Sequence, residues 1–336
     1  MHAAPIMNTT AILAAIRNVR ILVIGDIMLD HYIWGDVNRI SPEAPVPVLH
    51  VLRESHSAGG AANVALNIAA LGAKASLMGM LGDDEAAKHL ARMLDAAAID
   101  FSRCVVDPAV ATIVKTRVVA RTQQLCRIDR EAARSAYALD ATANIAELLE
   151  SALTHADAVI VSDYAKGGIT QSLMDRLIAL AKARGVLVAV DPKPARHLNL
   201  RGVGLLTPNR HEALELAGLP EPGPGEPYPL AEICRRIHEA IAPKLLVITL
   251  GADGMAVSYD GQVAHHLFTA AREVFDVCGA GDTVIATLTA ALAAGAGAVE
   301  AASLANRAAG VVVSKMGTAT ATPEEILHSR QAGWPL

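Results

Sequence analysis

The sequence predicts an α/β fold: a three-layer α/β/α sandwich around a mainly parallel sheet, with a small β lid. Short continuous apolar runs recur along the chain, helical stretches lie between several of them, and two segments break the pattern. The chain is 52% hydrophobic but only 3% aromatic, so Ala, Val, Leu and Ile must fill the core. That composition suits helices packed on a parallel sheet better than an aromatic-rich sandwich.

The first run, residues 21–25 (ILVIG), ends in Gly25 as a strand buried on both faces does. Similar runs occupy 75–80, 158–162, 186–190, 203–206 and 245–249. Glu85 to Ala97, Thr170 to Ala183 and Ala231 to Ala242 read as intervening helices, which gives βαβ units. Residues 31–53 hold Pro42, Pro45 and Pro47 among β-branched residues, and residues 112–129 alternate apolar with polar, with a turn expected over Thr122 to Gln124. Both are too polar on one side for the central sheet. The expected division is an α/β domain over 1–30, 54–111 and 130–336, and a β lid over 31–53 and 112–129. Leu219 to Pro229, rich in Pro and Gly, is a surface loop. The longest uncharged stretch, Thr283 to Val299, is too short to span a membrane and reads as a buried helix.

A net charge of -5 gives no electrostatic reason to expect nucleic acid or an anionic membrane as partner. Cys104, Cys126, Cys234 and Cys278 are scattered without a CxxC pair, as in a reduced cytosolic protein. The apolar run Ala11 to Ile16 is followed by Arg17 and Arg20 and lacks a cleavage signature, so no secretory signal is expected. The expected location is the cytoplasm.

The strongest chemical signal is Asp276 to Thr283, DVCGAGDT, ahead of an Ala-rich helix. Gly279 and Gly281 let the backbone approach an anion, and the helix start directs free N–H groups and partial positive charge towards it. Asp282 stands at the same helix start, placed either to accept a proton from a hydroxyl or only to cap the helix. No GxxxxGK[ST] loop occurs, Val284 replaces the third glycine of a dinucleotide fingerprint, and Gly25-Asp26-Ile27 is not one either.

DVCGAGDT resembles the DTxGAGD signature of the ribokinase-like (PfkB) carbohydrate kinases. SAGGAANVALNIAALG (Ser57 to Gly72) resembles that family's first signature, and TPNRHE (Thr207 to Glu212) its NxxE motif. The resemblance implies Asp282 as catalytic base and Gly279, Ala280 and Gly281 as the anion hole for phosphoryl transfer from ATP. It implies Gly59 and Gly60 against the sugar, with Asn63 and Asp30 on its hydroxyls. Asn209 and Glu212 would organise Mg²⁺ through water. Thr249, Gly251 and Gly254 (in TLGADG) would border the nucleotide, and Asn306 the adenine side. Cys278 departs from the Thr common before GAG in that family.

The segments GDIMLD, GDVNRISPEAPVPV (Gly35 to Val48) and IDRE (Ile128 to Glu131) look like the heptose kinase branch. That implies transfer to C1 of D-glycero-β-D-manno-heptose 7-phosphate, by a kinase without the nucleotidyltransferase domain fused to many members. A phosphorylated substrate needs cations away from the transfer site. Asn38, Arg39, Arg127 and Lys193 are candidate substrate contacts, with Lys115, Arg117 and Arg121 as further candidate cations. A lid with one apolar face and a free edge is expected to pair into a homodimer. The open alternatives are a kinase for ribose, fructose or fructose 6-phosphate, and a non-catalytic sugar-binding regulator.

Overall fold

The computed structural model describes residues 7–269 and 274–329. The chain opens with α1 (Thr9–Ile16), β1 (Arg20–Gly25), β2 (Ile27–Ile40) and β3 (Pro47–Gly60). Then come α2 (Ala61–Ala70), β4 (Lys74–Met78), β5 (Met80–Leu81), α3 (Glu85–Ala96) and β6 (Val105–Val106). The hairpin β7 (Ile113–Ala120) and β8 (Gln123–Arg130) precedes α4 (Ile145–Thr154), β9 (Ala158–Ser162), α5 (Gln171–Arg184) and β10 (Leu187–Asp191). Next are β11 (Leu205–Leu206), α6 (Arg210–Leu216), α7 (Leu230–Ile241) and β12 (Leu245–Thr249). The chain continues through β13 (Met255–Tyr259), β14 (Gln262–Leu267), α8 (Ala280–Ala293), α9 (Ala298–Val312) and α10 (Pro323–His328).

The central sheet has the order β14-β13-β12-β11-β10-β9-β1-β4 and is parallel from β4 through β12. Along β1, Ile21 and Val23 enter one core with residues of α1, α2, α8 and α9. Leu22 and Ile24 enter the other, with residues of α4, α5 and α7. Period-2 alternation in a strand apolar on both sides thus makes the three layers. The antiparallel hairpin β13–β14 closes one edge, an element the apolar runs did not announce, because β14 is exposed along most of its length.

Local chemistry shifts three boundaries. The turn between β7 and β8 falls on Arg121 and Thr122, one residue earlier than expected, with Arg121 at φ 53°. The 75–80 run divides into β4 and β5 at Gly79, where a Cβ would meet the Gly25 carbonyl at 2.6 Å. The uncharged stretch Thr283 to Val299 holds parts of two helices, since α8 ends at Ala293 and α9 begins at Ala298 after Gly295.

The lid is a second sheet, order β3-β2-β7-β8, covering 27–60 and 113–130. β2 and β3 are long because they start inside the body, where Asp30 pairs with Ser57, and run outward to Ile40 and Pro47. One lid face carries Asp30, Tyr32, Lys115 and Arg117, placed together by the parallel β2–β7 register. No helix among the described residues is long and apolar enough to cross a membrane.

Candidate active site

The carboxyl ends of the parallel strands converge on one crevice, where open α/β sheets place their ligands. Asp26 follows β1, Tyr164 follows β9, Lys193 follows β10, Asn209 follows β11, and Thr249 ends β12. Asp282 enters the same crevice from the first turn of α8 and is buried at 3% exposure.

Two donors hold that carboxylate. Asn63 Nδ2 donates to Oδ2 at 2.7 Å, and the Tyr164 hydroxyl donates to Oδ1 at 2.7 Å. Asn63 is itself fixed by Asn67, whose Nδ2 donates to the Asn63 carbonyl at 2.9 Å, and Asn67 Oδ1 accepts from Thr283 Oγ1 at 2.7 Å. The network thus ties α2 to the start of α8. Burial raises the Asp282 carboxyl to about 6, against the lowering effect of the Asn63 and Tyr164 hydrogen bonds. A carboxyl poised there suits general-base work near neutral pH.

Gly279 adopts φ 78° ahead of α8, and a Cβ on it would stand 2.9 Å from Asn63 Nδ2. Gly281 is exposed, and a Cβ on it would meet nothing within 4 Å, so open space lies above the helix start. Asp276 shapes this cradle by accepting from Cys278 N at 2.9 Å and Gly317 N at 3.0 Å. Burial, with the Asp276 contact next, pushes the Cys278 thiol up to about 11.

On the lid side, Asp30 is buried and accepts from Arg117 at 2.6 Å. Gly59 lies against it, since a Cβ there would meet Asp30 Oδ2 at 2.6 Å. Gly60 takes φ 58° where the chain turns from β3 into α2, and its Cβ would strike the Asp26 carbonyl. Lys115 Nζ sits 5.6 Å from the Tyr164 ring centroid. Burial lowers the Lys115 ammonium, Asp30 opposes this, and Lys166, Arg127 and Arg117 add to the lowering. Arg127 pairs with Asp129 at 2.8 Å. Asn38 and Arg39 do not join this cluster. They are exposed eight and nine residues beyond Asp30 on β2, about 27 Å away at strand rise.

On the other side, Asn209 caps α6 in a reciprocal box with Glu212, whose other oxygen pairs with Lys193. Asn63 and Lys193 therefore each spend a donor on a protein carboxylate. Thr249 bridges to Asn209, and Gly251 to Gly254 form a tight turn beyond it. Asn306 donates to the Phe268 carbonyl at 2.6 Å, fixing the chain beside the edge hairpin. Asp191 is held well above the usual carboxylate range by burial, then by the charges of Glu212 and Asp282. Among the described residues no three His, Cys, Asp or Glu side chains form a metal cage. The hard oxygens of Asp191, Glu212 and Asn209, with Lys193 as the nearby cation, fit a magnesium ion that keeps its waters.

Sequence reasoning missed Asp26 and Tyr164. Asp26 accepts from the backbone N–H groups of Tyr164, Lys166 and Gly168, each at 2.9 Å, and so positions the loop that carries the tyrosine. The available signal was their place, directly or two residues after the apolar strands β1 and β9.

Residues 19–325 match the model of the pfkB family carbohydrate kinase. The chain belongs to the pfkB family of carbohydrate kinases. Among its relatives in this family is the bifunctional protein HldE of Halorhodospira halophila, 48% identical over 316 residues, which cover 94% of this chain and 64% of that protein. The bifunctional protein HldE of Geobacter sulfurreducens is 43% identical over 322 residues, or 96% of this chain and 65% of that protein. The chain thus spans just under two thirds of the length of these relatives. Arabidopsis thaliana ribokinase complexed with ribose and ATP superposes with a TM-score of 0.73 at 21% identity, covering 92% of this chain and 98% of that one. Escherichia coli phosphofructokinase-2 in complex with potassium gives 0.74 at 20% identity, covering 93% and 98%. At such identities these structures speak for the fold alone, and the fold is the ribokinase-like α/β/α sandwich with its lid.

Proposed function

We propose that this kinase transfers a phosphoryl group from ATP to C1 of D-glycero-β-D-manno-heptose 7-phosphate, on the route to the ADP-heptose of lipopolysaccharide. The observation that carries this reading is the juxtaposition of a buried, doubly hydrogen-bonded Asp282 with a glycine cradle and a lid face bearing Lys115 and Arg117. The resemblance of the lid segments to the heptose kinase branch and the HldE relatives support the acceptor. The body supplies the transfer machinery, and the lid covers the sugar.

Bound MgATP supplies the phosphoryl group. Asp282 takes the proton of the anomeric hydroxyl as that oxygen bonds to phosphorus and the bond to ADP breaks. The N–H groups of Gly279, Ala280 and Gly281 receive the charge gathered on the transferred group. Asp30, aligned by Arg117, grips sugar hydroxyls beside Gly59 and Gly60. Lys115 and Arg127 hold the 7-phosphate. Asn63 fixes the base, and Asn209, Glu212 and Asp191 would hold a magnesium ion through its waters, with Lys193 neutralising Glu212. Thr249, Gly251 and Gly254 border the nucleotide, with Asn306 shaping its adenine side. The enzyme works in the cytoplasm as a homodimer joined through its lids, whose outer parts expose Ile40, Leu52 and Ile128.

The test is ADP release from Mg-ATP with heptose 7-phosphate, fructose 6-phosphate, ribose and fructose, using Asp282→Asn as control. Turnover of the heptose phosphate, lost in the variant, supports the proposal. Turnover of another sugar alone overturns the acceptor, and no turnover with retained ATP binding favours a silent binder.

A further inference from the structure

The Tyr164 hydroxyl belongs to neither glycine cradle nor sugar grip, yet it makes one of the two shortest bonds to the proposed base. We infer that Tyr164 is a positioning residue whose hydroxyl pins the Asp282 carboxylate for proton abstraction, an inference that rests on Asp282 acting as base.

The geometry is a two-point clamp. Asn63 reaches Oδ2 from α2, and Tyr164 reaches Oδ1 from the carboxyl end of β9. A planar carboxylate held by one donor can still turn about its Cβ–Cγ bond, whereas one held at both oxygens keeps a fixed plane. Each oxygen retains a second lone pair for the acceptor hydroxyl. Tyr164 is itself fixed, because its backbone N–H donates to Asp26. Its ring lies near two cations, with Lys115 Nζ at 5.6 Å and Lys193 Nζ at 5.7 Å from the centroid. Those contacts depend on the ring and not on the hydroxyl.

Electrostatics give the clamp a second consequence. The charged groups bearing on the pair are Asp30 on β2, Asp191 and Lys193 at the end of β10, and Lys115 on β7. Burial and Asp30 favour protonated Asp282, while Asn63, Tyr164 and Lys193 favour the carboxylate. The phenol itself stays protonated, since burial and then the Asp282 and Asp191 charges raise it well above its ordinary value. It is therefore a permanent donor. Removing it moves Asp282 further towards the neutral acid, which already carries a proton and is too weakly basic to take another.

Tyr164→Phe keeps the ring and deletes the donor. The pH profile of kcat/KM should show its acid limb displaced upward by about one unit, the worth of a hydrogen bond to a charged group. The turnover loss should be largest at pH 6 and shrink by pH 8, with KM for ATP within about twofold of the wild type. A tyrosine that only supports the fold would lower kcat evenly at all pH values and leave the limb in place, and that outcome overturns the inference.

A second readout needs no substrate. In protein labelled at the Asp carboxyl carbon, with Asp282→Asn to assign the signal, Asp282 should titrate near 6 in the wild type and higher in Tyr164→Phe. An unchanged midpoint refutes the clamp, whichever sugar is the acceptor. A wild type that shows the displaced titration but phosphorylates nothing counts against the proposed function and not against the clamp. Should Tyr164→Phe fail to fold, 3,5-difluorotyrosine at 164 makes a stronger donor and should lower the midpoint, with an unmoved midpoint again refuting the inference.

Discussion

Asn63 and Asp282 are 219 residues apart in sequence and joined by a 2.7 Å hydrogen bond. The bond runs from the first turn of α2 to the first turn of α8, so it ties the starts of two helices that are far apart in sequence. In the proposed mechanism this tie would hold the acceptor and the transferred group in register.

Asp282→Asn should lower turnover by about 10²- to 10⁴-fold, the usual worth of a general base. The same change should stabilise the protein. Burial raises this carboxyl from 3.8 to about 6. The folded state therefore binds a proton more tightly than the unfolded chain, and stability falls as pH rises between those values. Below pH 4 the variant should gain nothing. Above pH 7 it should gain on the order of 3 kcal/mol, read as a rise of a few degrees in Tm by calorimetry at pH 8.

The two glycines flanking Ala280 should fail differently. Gly279→Ala places a methyl 2.9 Å from Asn63 Nδ2 at φ 78°, so it should cost about 1–3 kcal/mol and disturb the base. Gly281→Ala meets nothing within 4 Å, so its denaturation midpoint should match the wild type. In the proposed mechanism its methyl enters the space of the transferred phosphoryl group, and kcat should fall by about tenfold or more. Urea unfolding and initial rates separate the two effects.

Arg117→Ala should strip the buried Asp30 of its partner, costing about 3 kcal/mol in urea unfolding. Replacing both residues, as Asp30→Leu with Arg117→Met, should recover most of that stability while abolishing sugar phosphorylation. The recovery would show that the single variant is unstable because of an uncompensated charge.

Lys115 forms no ion pair among the described residues, and burial lowers its ammonium. An incoming phosphate would supply the missing anion. Lys115→Met should therefore raise KM for the sugar phosphate by about tenfold or more with KM for ATP unchanged. Equal increases in both constants would mean that Lys115 does not act on the sugar phosphate in particular.

Cys278 in the cradle should behave as a protected thiol. Burial and Asp276 push it up to about 11, so alkylation by iodoacetamide should be slow at pH 7.5 and accelerate above pH 10. The initial alkylation rate followed by mass spectrometry, with exposed Cys126 as internal reference, checks this.

The strands, the main helices and the cradle were legible in the sequence because each rests on local chemistry. Apolar runs of β1, β9 and β12 suit a sheet buried on both faces, and the glycines of DVCGAGDT ahead of an Ala-rich run mark a turn into a helix. The position of Asp282 was equally plain. Its second donor was not, because Tyr164 meets it only where β9 and α8 converge, 118 residues apart. Asn63, Glu212 and Lys193 were visible as polar residues in the right segments, yet which of them face ligand and which satisfy one another depended on the pairs that tertiary packing makes. Asn38 and Arg39 were candidate substrate contacts from the lid segment, and an extended strand carries them far from Asp30. Backbone form is set by neighbours along the chain, whereas the partners of a buried polar group are set by whatever the sheet order brings within 3 Å.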